Sequence, residues 1–465
     1  MRSQDARPAR ARPFPIAAPA AAGITAAATL LVLLPTVSAP WLWDDHVHLF
    51  LARRLPLSWS ASHGLLGVYF RPLGEAVLWL VVRLAGTAPA GPHLIGAALI
   101  AAVTGGVALL VGRETADGTA GLAAGLLLAA CPVTVTSGAW FSNLYGVLSA
   151  GLGLAALLAV RRPALAVLLA LFAAAAKEDG VLWLPAVLVL AAGTVRPVRR
   201  LIPATVLGGA GLAGMLAWRT AVLGGTGGMV QPHRLLAAVP GGAPAIAMVL
   251  LVLTVGTALL PSALARAALA AGVPGGLLGV ALLATVPHDP HGLWMRLLLL
   301  PAAASAIVWG RALAGSPARV RRALLLVTAA LIAAGSVASL RWERRWRVAT
   351  DRSDRLVRAT VRSLRERPDL SGPVRVEGDG GEIALAAAVG RVAPDRLATT
   401  VPLQTRGVNL LVCPQDLWPD VRRRLDLVGI PGNPGRYGRW VVGLGFVDRS
   451  AGSTLPSIRP FEEAP

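Results

Sequence analysis

Charge is scarce in this chain. Only 15% of its 465 residues are Asp, Glu, Lys or Arg, whereas soluble domains carry about a quarter. With 55% hydrophobic residues and a mean hydropathy of +0.63, an ordinary soluble fold is excluded. Lysine is scarcer still: Lys177 is the only one, and every other basic residue is arginine. Cysteine is limited to Cys131 and Cys413, so no disulfide framework can be built, and neither has metal-ligand spacing. Cys131 ends an apolar run and reads as packing. No repeat of 20–50 residues occurs, and no tetratricopeptide pattern is present.

What the chain has is long apolar runs. "AAGITAAATLLVLLPTVSA" and "HLIGAALIAAVTGGVALLV" can each cross a hydrocarbon core of ~30 Å at 1.5 Å per residue. Such runs recur to about residue 338, which makes the chain an α-helical polytopic membrane protein. The net charge of +20 would ordinarily suggest a nucleic-acid partner. Here the arginines gather in short clusters between apolar runs, as orientation signals do, and no nucleic-acid partner is expected.

The basic arm "MRSQDARPARAR" should stay in the cytoplasm, with an uncleaved first span over about 17–39. Ten more spans are expected near 93–112, 119–136, 142–160, 163–176, 180–194, 201–222, 243–260, 266–286, 293–311 and 320–338. "RPLGEAVLWLVVRLAG" carries two arginines and a glutamate, so it reads as an amphipathic helix along the interface within a first outer loop at 40–91. Eleven spans put the N-terminus inside and the C-terminus outside the cytoplasm of a multi-pass cell-membrane protein. Residues 1–338 would be the transmembrane domain. Residues 339–465 would hold a charged helix and a small extracytoplasmic α/β domain, because short β-branched runs such as "VNLLVC" and "RWVVGLGFV" alternate there with helical patterns.

Charged groups are expensive near hydrocarbon, so those at span ends ask for a reason. By this topology Asp44, Asp45, His46, His48, Arg71, Lys177, Glu178, Asp179, His288, Asp289, His291 and Arg296 all fall at outer ends. A carboxylate pair beside cations suits transfer away from an anionic leaving group: one carboxylate takes a proton from an acceptor hydroxyl, and the cations hold a phosphate. A lipid-borne donor would explain a site at the membrane. Each feature also has a plainer reading, as a solvated loop, a headgroup anchor, a hydrophilic turn or a snorkelling arginine. His46 and His48, or His288, Asp289 and His291, offer imidazole and carboxylate ligands to a divalent metal, at spacings that are not diagnostic.

The order of these pieces resembles the GT-C class of polytopic glycosyltransferases, including protein O-mannosyltransferases and bacterial lipid A or cell-wall sugar transferases. The motifs are "WDDH" at 43–46, "YFRPL" with Arg71, "CPVTVTSGAWFSNLYGVLSA" at the third span, "KEDG" at 177–180, and the late span start from Arg296 to Pro301. The resemblance implies a polyprenyl-phosphate sugar donor and an extracytoplasmic acceptor that is a protein, glycan or lipid. Transfer would invert the sugar in one displacement. Asp44 or Asp45, with Asp44 favoured, would be the general base or position the acceptor. Arg71, Lys177 and Arg296 would face the donor phosphate, and Glu178 would orient Lys177 or the acceptor. By analogy the sugar would be mannose or another hexose or pentose. The chain departs from the mannosyltransferase pattern "HP.HTE", having "CPVTVTS", and from "RYLYLP", having "WMRLLLLP". Two alternatives stay open: a transporter or flippase of a lipid-linked or anionic substrate, and an inactive scaffold of the same plan.

Overall fold

A computed structural model describes residues 16–42, 45, 48–49, 52, 57–58, 69–195, 197–223, 262–285 and 293–366, with short strands between 375 and 458. Twelve helices run through the described part of the membrane region: α1 Ala18–Leu33, α2 Pro72–Ala85, α3 Ala90–Thr115, α4 Gly118–Ala129, α5 Pro132–Ala139, α6 Leu144–Leu158, α7 Pro163–Ala176, α8 Trp183–Thr194, α9 Ile202–Leu223, α10 Ala263–Thr285, α11 Leu299–Gly315 and α12 Ala318–Glu366.

Among the described residues six helices are long and apolar enough to cross a membrane, and seven if the bent pair α4–α5 is one span. The shorter helix α7 and the Ala263–Gly279 part of α10 are apolar as well. The span expected at 243–260 lies outside the described residues. Large side chains remain exposed on the spans, including Leu31, Val206 and Leu326; in water such a surface would be a liability, and in a bilayer it faces lipid. The protein is therefore a polytopic helical membrane protein.

The core forms where small residues let backbones approach. Helices α1, α3 and α4 pack on one another, and Thr29 and Thr104 share a 2.7 Å hydrogen bond between α1 and α3. The run expected as one span over 119–136 is instead bent by 63° between Ala129 and Pro132. Pro132 begins the second half, where its missing N–H costs nothing. Backbone carbonyls freed at the break need partners inside a membrane. The Thr134 hydroxyl donates to the Leu128 carbonyl at 2.5 Å, and the Ser339 hydroxyl of α12 donates to the Ala130 carbonyl at 2.8 Å.

The amphipathic segment forms α2, and it is not among the candidate spans. Pro72 starts it, and Gly86, at φ 75°, ends it. Its buried stripe is Gly74, Glu75, Leu78, Val81 and Val82, the spacing of one helical face. That stripe packs with Trp41, Leu49, Phe141, Leu144 and Tyr145 in a cluster separate from the main core. Close approach comes from Gly74: a Cβ there would lie 2.6 Å from Tyr145 Cβ and would overlap the Ala176 carbonyl oxygen.

Beyond the last span the chain does not break. α12 continues for 49 residues, about 74 Å of helix, so the charged stretch after 338 extends the span itself. In the C-terminal region, β1 (Arg375–Val376) pairs in parallel with β7 (Ser457–Ile458). β2 (Thr399–Pro402), β3 (Val408–Pro414), β6 (Trp440–Val447) and β4 (Leu427–Gly429) form an antiparallel sheet in that order, with β5 (Gly435–Tyr437) also on β6. The strands expected from "VNLLVC" and "RWVVGLGFV" are β3 and β6. The helical part of the expected α/β domain lies outside the described residues, except that the "LVG" ending one such pattern is β4.

Candidate functional site

One short segment, residues 140–146, collects the polar side chains. It comprises Trp140, the 3₁₀ turn Phe141–Asn143 and the first residues of α6, and it spans roughly 10 Å. Asp45 reaches it from the first loop: its carboxylate accepts from the Ser142 backbone N–H at 2.7 Å. The other oxygen accepts from the Leu42 N–H at 3.1 Å, and the residue is fully buried.

Arg71 comes from the start of α2. Its guanidinium lies 4.2 Å from the Tyr69 ring centroid and 4.5 Å from that of Tyr145, and its Nε donates to Glu178 at 2.7 Å. Burial works against the charge, but Glu178, Tyr145 and Tyr69 outweigh it and push the guanidinium above its ordinary value. Arg71 is a fixed cation. His48 meets the same tyrosine, its Nε2 lying 3.5 Å from the Tyr145 hydroxyl, and its Nδ1 lies 4.0 Å from Glu75. Burial pushes the Glu75 carboxyl up to about 7, partly offset by Arg71 and reinforced by Glu178.

Lys177 follows the C-terminal end of α7. Its Nζ pairs with Asp179 at 2.8 Å and comes within 3.4 Å of the point where Gly146 would carry a Cβ. Arg296 lies in the 3₁₀ turn Leu293–Leu298 that precedes α11. It is buried, and its guanidinium stacks 3.3 Å from the Trp140 ring centroid. Trp140 is backed by Trp346, which stacks on Trp342.

Five described site residues expected from the sequence thus meet this segment directly: Asp45 at Ser142, His48 and Arg71 at Tyr145, Lys177 beside Gly146, and Arg296 on Trp140. Glu178 joins through Arg71. The helix directions explain the meeting. α1 and α7 end here, whereas α2, α6 and α11 begin here, so the charges sit at one end of the bundle. At span ends on the other side lie Arg113, Arg161, Arg162, Arg311 and Arg321, the last paired with Asp117 at 2.7 Å.

One expected relation is different. Glu178 does not orient Lys177; Lys177 pairs with Asp179, and Glu178 pairs with Arg71 and, at 3.7 Å, with Arg219 of α9. The reason is local: the 3₁₀ turn Glu178–Leu182 advances about 120° per residue, so neighbouring carboxylates leave in different directions. Asp44, His46, His288, Asp289 and His291 lie outside the described residues. Among the described residues no group of three or more His, Cys, Asp or Glu could hold a metal ion.

Sequence reasoning passed over Glu75, Tyr69, Tyr145, Trp140 and Arg219 as site residues. A signal existed for the tyrosines, since the chain has only three and two of them flank Arg71. Glu75 was visible only as a reason against a span, and nothing in the sequence paired Arg219 with "KEDG".

No protein-family model matches the chain. No curated protein matches it either. Among solved structures, it is similar to the crystal structure of ArnT from Cupriavidus metallidurans bound to undecaprenyl phosphate, at 15% identity and a TM-score of 0.38, over 92% of this chain and 98% of that one. It is also similar to ArnT from the same organism in the apo state, at 14% identity and a TM-score of 0.36, over 91% and 97%. At these values the site rests on this chain's own residues.

Proposed function

We propose that the chain is a GT-C-like glycosyltransferase of the cell membrane, moving one sugar from a polyprenyl-phosphate donor to an extracytoplasmic acceptor with inversion. The observation that carries the reading is the convergence on residues 140–146: two carboxylates, Asp45 and Glu178, and three cations, Arg71, Lys177 and Arg296, at one end of the helix bundle. The ordered motifs of the sequence supply the family resemblance. The arginine-rich opposite end supports a cytoplasmic orientation for that end, and therefore an extracytoplasmic site.

In this reading Asp44 is the general base. The two oxygens of Asp45 already accept backbone N–H groups of Leu42 and Ser142, which suits it to holding the first loop against the 3₁₀ turn. Asp44 takes the proton of the acceptor hydroxyl, and the acceptor oxygen attacks the anomeric carbon opposite the phosphate. The bond from that carbon to the phosphate oxygen breaks, and the polyprenyl phosphate leaves with the electron pair. Arg71, Lys177 and Arg296 stabilise the growing charge on the phosphate. Arg296 over the Trp140 ring and Arg71 against the Tyr69 and Tyr145 rings are preorganised cations, so little reorganisation accompanies the step. The sugar is mannose or another hexose or pentose, and the acceptor a protein, glycan or lipid. His46, His48, His288 and Asp289 support the site around it. Residues 339–465 form an extracytoplasmic unit entered by the charged end of α12.

The transporter reading gains no support, because the charges that meet residues 140–146 sit at helix ends and in the turns between helices. The test is transfer of labelled sugar from a polyprenyl-phosphate donor by membranes carrying Asp44→Asn, Asp45→Asn and the double variant. Asp44→Asn should lose transfer while remaining folded in detergent, and the double variant should lose transfer as well. Full transfer by the double variant overturns the mechanism.

A further inference from the structure

Two arginines from distant parts of the chain are drawn to one carboxylate. Arg71, at the start of α2, donates through Nε to Glu178 at 2.7 Å. Arg219, near the end of α9, approaches the other oxygen of Glu178 at 3.7 Å. The residues just before them also meet, Phe70 against Trp218 in a T-shaped pair with centroids 4.8 Å apart. Residues 70–71 and 218–219 therefore run in register around Glu178, with an aromatic contact holding two cations near each other. Like charges brought together in a partly buried site repel unless an anion lies between them.

The three groups are not equally held. The side chains of Arg71 and Arg219 are 11% and 17% exposed, whereas that of Glu178 is 31% exposed. Arg71 is also fixed by Tyr69 and Tyr145. Glu178 stands in a short 3₁₀ turn and its side chain is the most exposed of the three, although the Oε1 that faces Arg219 is buried, so it is the member that can leave. A guanidinium pair recognises phosphate by the same fork geometry with which it recognises a carboxylate.

We infer that Arg71 and Arg219 form a two-arginine clamp for a phosphate, with Glu178 as its internal and exchangeable occupant. This rests on the donor reading above and adds Arg219 to the phosphate ligands. It also gives Glu178 a task its ion pair alone does not suggest: it keeps the arginines together and yields them to the donor. Binding is then an exchange of anions. Removing the Glu178 charge should tighten phosphate binding, whereas a merely structural ion pair would weaken it or leave it unchanged.

The test uses the full chain purified in detergent and measures binding of a polyprenyl monophosphate, the matching polyprenol and inorganic phosphate. The wild type should bind the polyprenyl monophosphate and not the polyprenol. Arg219→Ala should weaken binding about tenfold or more, as expected for loss of one charge-assisted contact. Glu178→Gln should tighten it severalfold, and this second variant decides the matter even where Arg219→Ala fails to fold. Unchanged or weaker binding by Glu178→Gln, or unchanged binding by a folded Arg219→Ala, overturns the clamp, while wild-type binding of the lipid leaves the donor reading standing. Inorganic phosphate binding alone, with the same dependence on both residues, upholds the clamp and overturns the lipid donor. No phosphate binding of either kind overturns both.

Discussion

Glu75 offers a measurement that needs no substrate. It is 7% exposed, it faces His48 at 4.0 Å, and its Oε1 is buried without a hydrogen-bond partner. Burial pushes its carboxyl from an ordinary 4.5 to about 7. The folded protein therefore holds this proton more tightly than the unfolded chain does. The stabilising contribution is fully present below pH 4.5 and is lost as pH rises through about 7. At roughly 1.4 kcal/mol per pH unit the loss is about 3 kcal/mol above neutrality. Glu75→Gln keeps the shape and removes the ionisation. The variant should match the wild type near pH 4.5 and exceed it by a few degrees of apparent Tm at pH 8. The assay is thermal unfolding in detergent across that range, read as the difference between the two proteins. A difference that stays flat with pH, or that favours the wild type as pH rises, would refute the reasoning.

Two further outcomes follow from the packing. Gly74→Val should prevent α2 from seating, because its Cβ alone meets Tyr145 and the Ala176 carbonyl; loss of folded yield, or of at least about 3 kcal/mol of stability, is expected on overpacking grounds, checked by size-exclusion yield and unfolding. Arg296→Lys should keep the charge but lose the guanidinium contact 3.3 Å from the Trp140 centroid; about 1–2 kcal/mol of stability should go with it, and tryptophan fluorescence should report the disturbed ring.

The sequence carried the architecture where physics is local. Apolar runs are enough to specify a polytopic helical fold, though among the described residues six or seven helices are long enough to span against the eleven spans expected, and the arginines and glutamate of "RPLGEAVLWLVVRLAG" are enough to set α2 apart from the spans. The bend between Ala129 and Pro132 was less legible, since an apolar run looks the same straight or broken. Its stability comes from Ser339, 209 residues away, donating to the Ala130 carbonyl. The candidate site shows the same division. Charged residues at span ends were visible, but their partners were not. That Glu178 pairs with Arg71 and Arg219, and not with adjacent Lys177, depends on the turn angle after α7 and on where α9 returns. Contacts of that range leave no mark in composition or spacing.

The two breaks flanking α5 share one logic, and it bears on the acidic pair. A helix interrupted at membrane depth exposes backbone groups that lipid cannot satisfy. At the first break, Ser339 supplies a donor for the Ala130 carbonyl, and Thr134 adds a second donor to the Leu128 carbonyl, which also accepts the Cys131 N–H at 3.1 Å. At the second, between Ala139 and Leu144, the Ser142 N–H is satisfied by the Asp45 carboxylate. Asp45 thus does for a donor what Ser339 does for an acceptor. An ionised carboxylate is suited to that place because an N–H bonded to it is stronger than one bonded to a neutral oxygen. Two adjacent aspartates are then not redundant. Asp45 ties Leu42 to Ser142, and in the proposed mechanism its neighbour Asp44 meets the acceptor hydroxyl. On this argument Asp45→Asn loses stability first and transfer second, whereas Asp44→Asn loses transfer with the fold intact.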